Sequence, residues 1–501
     1  FLVAYKKGYN DFKYNNTLYS NAEKIDGALY FRTIYEYSFG GLLKEIILKI
    51  WDNYILLIIL TILIIAIIFK RKKIFDFLLT DDIKNNRKIY NLLVISVIIR
   101  FLIMPFFCHI DFLSGIWVPF KMYYDSFAYY ATDPSASFHI LNQIIHFPIM
   151  MFTKFLMPEL YDLWITQPYD YNLSGWYNFS ALKSAPTILF ILKIPFLLAD
   201  YLCLYILLRL FANVNIKIRA LYFWLFNPVA LYVVYMIGRF EFYSIFFILF
   251  GLMLLKNEKN KLGILCIGIA AAFRQYPILF APFLLPLISK NIRQFVSNAI
   301  IAILPLIIFN VLHNLPAYFA GISASAPTAV VSNDEHSNML FKYHIKDLFF
   351  FPFGYIIAWL FIVDCRKKIS AENYFIAVLL FFLILYSSSN FEPQYFMWII
   401  PFLCIAYSKK IFSFYELSCY FLLFFLIVMQ WDKTFTTQLA MPMFADLFYF
   451  LPSPERIINQ YYSVEIINRL ATSFFIGFNI WFIYKIYVYL KEIEINDRIN
   501  N

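Results

Sequence analysis

The sequence predicts an all-α polytopic membrane protein with about 13 transmembrane helices and with a large first extracytoplasmic loop containing interfacial helices. Composition, the spacing of apolar runs and the placement of basic residues carry this expectation. The 501 residues are 62% hydrophobic and 15% charged, with a mean hydropathy of +0.66. Soluble domains are about 45–50% apolar and about 25% charged, so lipid must solvate most of this surface.

The first apolar run, 53–69, ends at Lys70-Arg71-Lys72-Lys73, which marks its end as cytoplasmic and leaves residues 1–52 outside. Further spans are expected at 91–107, 186–210, 220–236, 242–255, 262–273, 276–288, 295–311, 348–363, 373–388, 395–408, 414–430 and 469–488. Several fall short of the roughly 20 residues that cross about 30 Å of hydrocarbon, so tilted, re-entrant or broken helices are expected. Alternation puts Arg209/Lys217/Arg219, Lys256/Lys259/Lys261, Lys290/Arg293, Arg366/Lys367/Lys368 and Lys409/Lys410 on the cytoplasmic side. The net charge of +10 is therefore read as positive-inside topology. No basic stripe or zinc spacing suggests nucleic acid.

Three parts follow: an extracytoplasmic segment 1–52, a transmembrane module 53–430, and residues 431–501 with an outer loop, a last span and a cytoplasmic tail. The module carries outer segments 108–185 and 312–347. Phe138–Leu156 mixes apolar residues with His139, Asn142, Gln143, His146 and Lys154, as in a helix lying in the membrane interface. All six histidines, and the sequons at Asn15, Asn172 and Asn178, fall on the outer side. The six cysteines form no Cys-x-x-Cys pair and read as small hydrophobes rather than a disulfide or metal framework. The chain opens at Phe1 without Met or a visible signal peptide, which fits removal of a preceding segment. No soluble domain, linker or internal repeat is visible.

Ionisable residues inside spans are costly and are site candidates. Lys193 and Asp200 share one span and one helical face, free to pair with each other or with neighbouring helices. Gly238-Arg239-Phe240-Glu241 and Arg274-Gln275-Tyr276-Pro277 interrupt apolar runs at the outer side; a guanidinium fork there suits a phosphate. Asn390-Phe391-Glu392-Pro393-Gln394-Tyr395 is a third polar break. His109-Ile110-Asp111 follows the second span at once, and Asp111 suits a general base toward a hydroxyl; Asp125, Asp133 and Glu241 are its rivals.

Several of these motifs resemble GT-C membrane glycosyltransferases, in particular polyprenol-phosphate-mannose-dependent α-mannosyltransferases and, more distantly, GPI mannosyltransferases. Lys193-Ile194-Pro195 through Asp200 resembles their Lys-x-Pro-x-x-x-x-Asp span. Asn227-Pro228 with the 238–241 turn, Gly263 to Pro277, and Pro393-Gln394-Tyr395 with Trp398 follow in the family's order, and the likeness covers roughly 91–408. The chain departs from the pattern in carrying Arg239 and Glu241 where Gln and Asp are commoner, and in lacking a clean Asp-x-Asp in the first loop.

The resemblance implies a polyprenyl- or dolichyl-phosphate sugar donor, most often mannose. The acceptor would be a glycan or glycolipid hydroxyl, and the reaction would run at the non-cytoplasmic face of a plasma or endoplasmic reticulum membrane. No metal or cofactor is implied. Asp111 would act as base; His109, Lys193, Asp200, Arg239, Glu241, Arg274, Gln275, Tyr276, Glu392, Gln394 and Tyr395 would bind substrate. A transporter or lipid flippase is the rival reading, since broken helices and intramembrane charges also mark transporters; a non-catalytic subunit of a glycan-assembly complex is a third.

Overall fold

The computed structural model describes residues 53–124, 140–167, 173–319, 344–345, 348–389, 391–431 and 433–500. Asp125, Asp133, His139, His336, the sequon asparagines 15 and 172, and residues 1–52 lie outside these, as do the side chains of His313 and His344.

The described chain is helical apart from one two-residue antiparallel pairing, β1 (His344–Ile345) with β2 (Leu348–Phe349). The first two helices are α1 (Tyr54–Phe75) and α2 (Arg87–Ile103), the latter capped by Asn86, whose side chain accepts from Lys88 N–H. The described parts of 110–181 fold as α3 (Ile110–Tyr124), α4 (Ile140–Met150), α5 (Pro158–Thr166) and α6 (Leu173–Ala181). The bundle continues with α7 (Ala185–Leu210), α8 (Val214–Leu225), α9 (Glu241–Lys256), α10 (Asn260–Phe273), α11 (Tyr276–Ile288) and α12 (Ile292–Phe319). It closes with α13 (Phe350–Cys365), α14 (Phe375–Ser388), α15 (Ile400–Ser408), α16 (Phe414–Val428) and α17 (Val464–Asn500).

Among the described residues, six helices are long and apolar enough to cross a membrane: Tyr54–Phe75, Ala185–Leu210, Val214–Ile237, Ile292–Leu312, Ala371–Ser388 and Val464–Ile493. The other expected spans are shorter. α10 has 14 residues and α11 has 13; at 1.5 Å per residue each reaches only about 20 Å. The polar breaks that set them apart in sequence are where the helices stop. Together the long apolar helices make the chain an integral membrane protein.

The side chains on the open faces of α1, α12 and α17 are apolar and largely exposed, among them Ile58, Ile62, Ile300, Ile307, Leu470 and Phe474, as suits helices solvated by lipid. The interior is aromatic and small-residue packing. Gly251 of α9 and Gly263 of α10 let the two helices touch, because a Cβ on Gly263 would sit 2.6 Å from Leu255. Five of the six cysteines are buried and none is paired; Cys419 is exposed on α16.

The two ends of the bundle differ in charge. Lys217 pairs with Asp82 at 2.7 Å and Lys256 with Glu372 at 2.9 Å, and Lys409 donates to Asn373 at 2.9 Å. Arg209 donates to the Leu78 carbonyl. These contacts gather the basic turns at one end. The three polar breaks and His109 gather at the other.

α4 runs 140–150, within the interfacial stretch read from sequence. Its polar residues point inward: Asn142, Gln143 and His146 are buried. Asn142 Nδ2 donates to the Phe273 carbonyl, and the Tyr243 hydroxyl lies 3.1 Å from His146 Nε2. Ile144 and Pro148 are exposed instead, as are Met151, Phe152 and Phe155 just beyond its end. The helix thus turns its polar face to the bundle and its apolar face outward, the reverse of a helix on a soluble protein.

Candidate active site

The site begins with an irregular helix. α8 ends at Leu225, and Asn227 restarts the chain by accepting from the Ala230 N–H at 3.0 Å, with Pro228 in the first helical position. Residues Leu231–Ile237 then wind as a π-helix, a rare form that often accompanies functional sites. It ends at Gly238 with φ 85°, and both Gly238 and Arg239 N–H donate to the Val233 carbonyl. Any other residue would be strained there, and its Cβ would meet the Phe112 ring at 2.9 Å. This turn swings Arg239 toward the start of α3.

Arg239 Nη1 bonds the Asp111 carboxylate. The Asp111 backbone N–H donates to His109 Nδ1 at 3.1 Å, so the imidazole proton is assigned to Nε2, 3.3 Å from Thr434 Oγ1. The His109 N–H in turn donates to the Ile237 carbonyl, tying the segment directly to the π-helix. Phe435 lies against the His109 ring at 4.4 Å.

Glu241 opens α9, where a carboxylate suits the positive end of the helix. It is fully buried, 2.9 Å from Arg274 Nη2 and 3.9 Å from Arg239 Nε, and accepts from Trp398 Nε1 at 2.7 Å. Glu241 therefore sets its negative charge beside both guanidinium groups. Arg274 sits in extended backbone between α10 and α11, with Gln275 half-buried next to it. Tyr276 and Tyr395 both stack on Trp398, at 3.8 and 4.5 Å between centroids. Gln394 Nε2 bonds Glu392 within the same break, whose 3₁₀ turn spans Pro393–Trp398.

Exposure separates the carboxylates. The Asp111 side chain is 37% exposed and that of Glu241 0%. Burial pushes the Asp111 carboxyl up, but the Arg239 guanidinium outweighs it and Arg274 adds to the effect, so the group lies below its ordinary value. It is ionised at neutral pH and open to a ligand.

Lys193 and Asp200 stand apart from this cluster and from each other. Asp200 binds Arg100 Nε at 2.6 Å, Trp224 Nε1 at 2.7 Å and the Tyr235 hydroxyl at 2.6 Å. Among the described residues, the partners of the Lys193 ammonium are backbone carbonyls. Arg100 was missed in the sequence, although an arginine inside an apolar span is the same signal that marked Lys193. Thr434 and Phe435 were missed because they lie outside every polar break, and Trp398 was named only as part of the Pro-Gln-Tyr-x-x-Trp likeness, not as a site residue. Among the described residues no group of three His, Cys, Asp or Glu side chains gathers as metal ligands do.

Residues 179–387 match the family model described as Glycosyltransferase family 87, a membrane glycosyltransferase family. The protein is a glycosyltransferase enzyme of the membrane. The match includes Lys193, Asp200, Arg239, Glu241 and Arg274; Asp111 and the 391–398 break lie outside it. No curated protein and no solved structure matches the chain significantly.

Proposed function

We propose that the protein transfers a sugar, mannose in the first instance, from a polyprenyl or dolichyl monophosphate to a hydroxyl of a glycan or lipid-linked acceptor. The reaction would take place on the non-cytoplasmic face, at the end of the bundle opposite the basic turns. One observation carries this reading: a half-exposed carboxylate, Asp111, lies directly against a buried guanidinium, Arg239, with Arg274 beside Glu241 behind it. This places a proton acceptor beside fixed positive charge, as displacement of a phosphate from an anomeric carbon requires.

In this account the acceptor oxygen attacks the anomeric carbon and passes its proton to Asp111. The bond from the anomeric carbon to the phosphate oxygen breaks, and the polyprenyl phosphate departs with the electron pair. Arg239 and Arg274 offset the charge that grows on it. When a donor phosphate takes over Arg239, Asp111 loses its ion-pair partner and becomes the stronger base. The stacked Tyr276, Trp398 and Tyr395 supply a flat aromatic wall against which a sugar ring can lie.

The test is turnover by purified protein with a panel of polyprenyl-phosphate sugars and nucleotide sugars, measuring glycosylated acceptor. Transfer from at least one lipid-phosphate sugar is expected. Transfer from a nucleotide sugar, with none from any lipid phosphate, would refute the donor class.

A further inference from the structure

We infer that Lys193 is a positioning residue that sets the Asp111 segment against the Arg239 segment. It lies on α7, fully buried, and no carboxylate among the described residues pairs with it. Its ammonium donates instead to three carbonyls: Met104 at 3.2 Å, Phe107, and Tyr235 at 2.7 Å. Three N–H donors thus meet three acceptors, which is the full capacity of the group.

The location of those carbonyls gives the cation its meaning. Met104 and Phe107 belong to the link between α2 and α3, just before His109 and Asp111. Tyr235 is inside the π-helix, four residues before Arg239. A single ammonium therefore bridges the two backbone segments whose side chains form the central ion pair. The Phe112 ring lies 5.6 Å from the ammonium and also abuts Gly238, so the same packing continues to the turn. One helical face of α7 grips Tyr235 twice: Lys193 holds its carbonyl and Asp200 its hydroxyl.

A buried cation satisfied only by carbonyls is an expensive way to hold helices together. A buried charge replaced by a well-packed apolar side chain is often neutral or stabilising. What an apolar residue cannot do is hold carbonyls outside regular α-helix at a fixed separation. That is what a site split between a helix link and a π-helix needs.

The consequence for rate rests on the reading of Asp111 and Arg239 as the reacting cluster; the geometric consequence does not. In an Asp111→Cys/Arg239→Cys protein with Cys108→Ala and Cys419→Ser, which removes the neighbouring and the exposed native thiols, a short bifunctional methanethiosulfonate reagent reads the separation without substrate. Lys193→Met is expected to slow cross-linking at least tenfold while the protein remains monodisperse. In the otherwise wild-type chain, with polyprenyl-phosphate mannose as probe, Lys193→Met is expected to lower kcat far more than it raises KM, and Lys193→Arg to restore part of it. Cross-linking at the parent rate in folded Lys193→Met overturns the inference. Should Lys193→Met fail to fold, Lys193→Gln, which can reach one carbonyl, takes its place: slower cross-linking supports the clamp and an unchanged rate overturns it. Slowed cross-linking in a protein inactive with every lipid-phosphate sugar would keep the clamp and discard the donor assignment.

Discussion

Asp111 and Glu241 are both carboxylates beside arginines, yet their surroundings give them different work. Glu241 is sealed between Arg274 and Trp398, whereas Asp111 reaches solvent. Asp111→Asn keeps the shape and removes the basicity. It should leave donor binding near normal and lower turnover by about 10²–10⁴-fold, as read from single-turnover rates. Arg274→Gln should instead weaken donor binding, by about 1.5–3 kcal/mol for a lost charge-assisted bond, measured by titration with donor. His146 tests the docking of α4. Burial pushes its pKa from 6.5 down to about 3. The unfolded chain binds a proton below pH 6.5 that the folded chain refuses, so this stability is complete above 6.5 and is lost as pH falls toward 3. The loss should reach about 2 kcal/mol at pH 5. Thermal unfolding of the wild type should fall between pH 7 and pH 5, and His146→Leu should flatten that dependence.

Elements differ in how plainly the sequence announces them. The turns at 238–241 and 274–277 were legible because charged residues interrupt apolar runs, and the helices do stop there. The spans were legible as apolar segments, but not their lengths, because packing against neighbours lets a helix of 14 residues end inside the protein. The π-helix was not legible: Leu231–Ile237 is apolar throughout, and nothing in its composition sets it apart from α-helix. Pairing was equally hidden. Lys193 and Asp200 share a face, yet each finds its partners on other elements, and Asp200 takes Arg100 from α2. That buried pair also has Tyr235 and Trp224 as partners, so it anchors α2, α7, α8 and the π-helix together. Arg100→Met would leave the buried Asp200 without its cation, at a cost of about 3–5 kcal/mol. Loss of folded protein in detergent, or a lowered unfolding midpoint, should follow.

On the scale of the whole molecule, basic turns gather at one end and the Asp111–Arg239–Glu241–Arg274 cluster at the other. The positive-inside rule assigns the basic end to the cytoplasm, so chemistry and charge should lie on opposite sides of the membrane. Sealed proteoliposomes test this most directly, with orientation fixed by impermeant thiol labelling of single cysteines at positions 72 and 333. The donor is placed in the bilayer, and an impermeant glycan acceptor is added from outside. Product should form in proportion to the protein whose position 333 faces the added acceptor, and should vanish with Asp111→Asn. Product that instead tracks the population exposing position 72, or that persists undiminished in Asp111→Asn, would contradict the account.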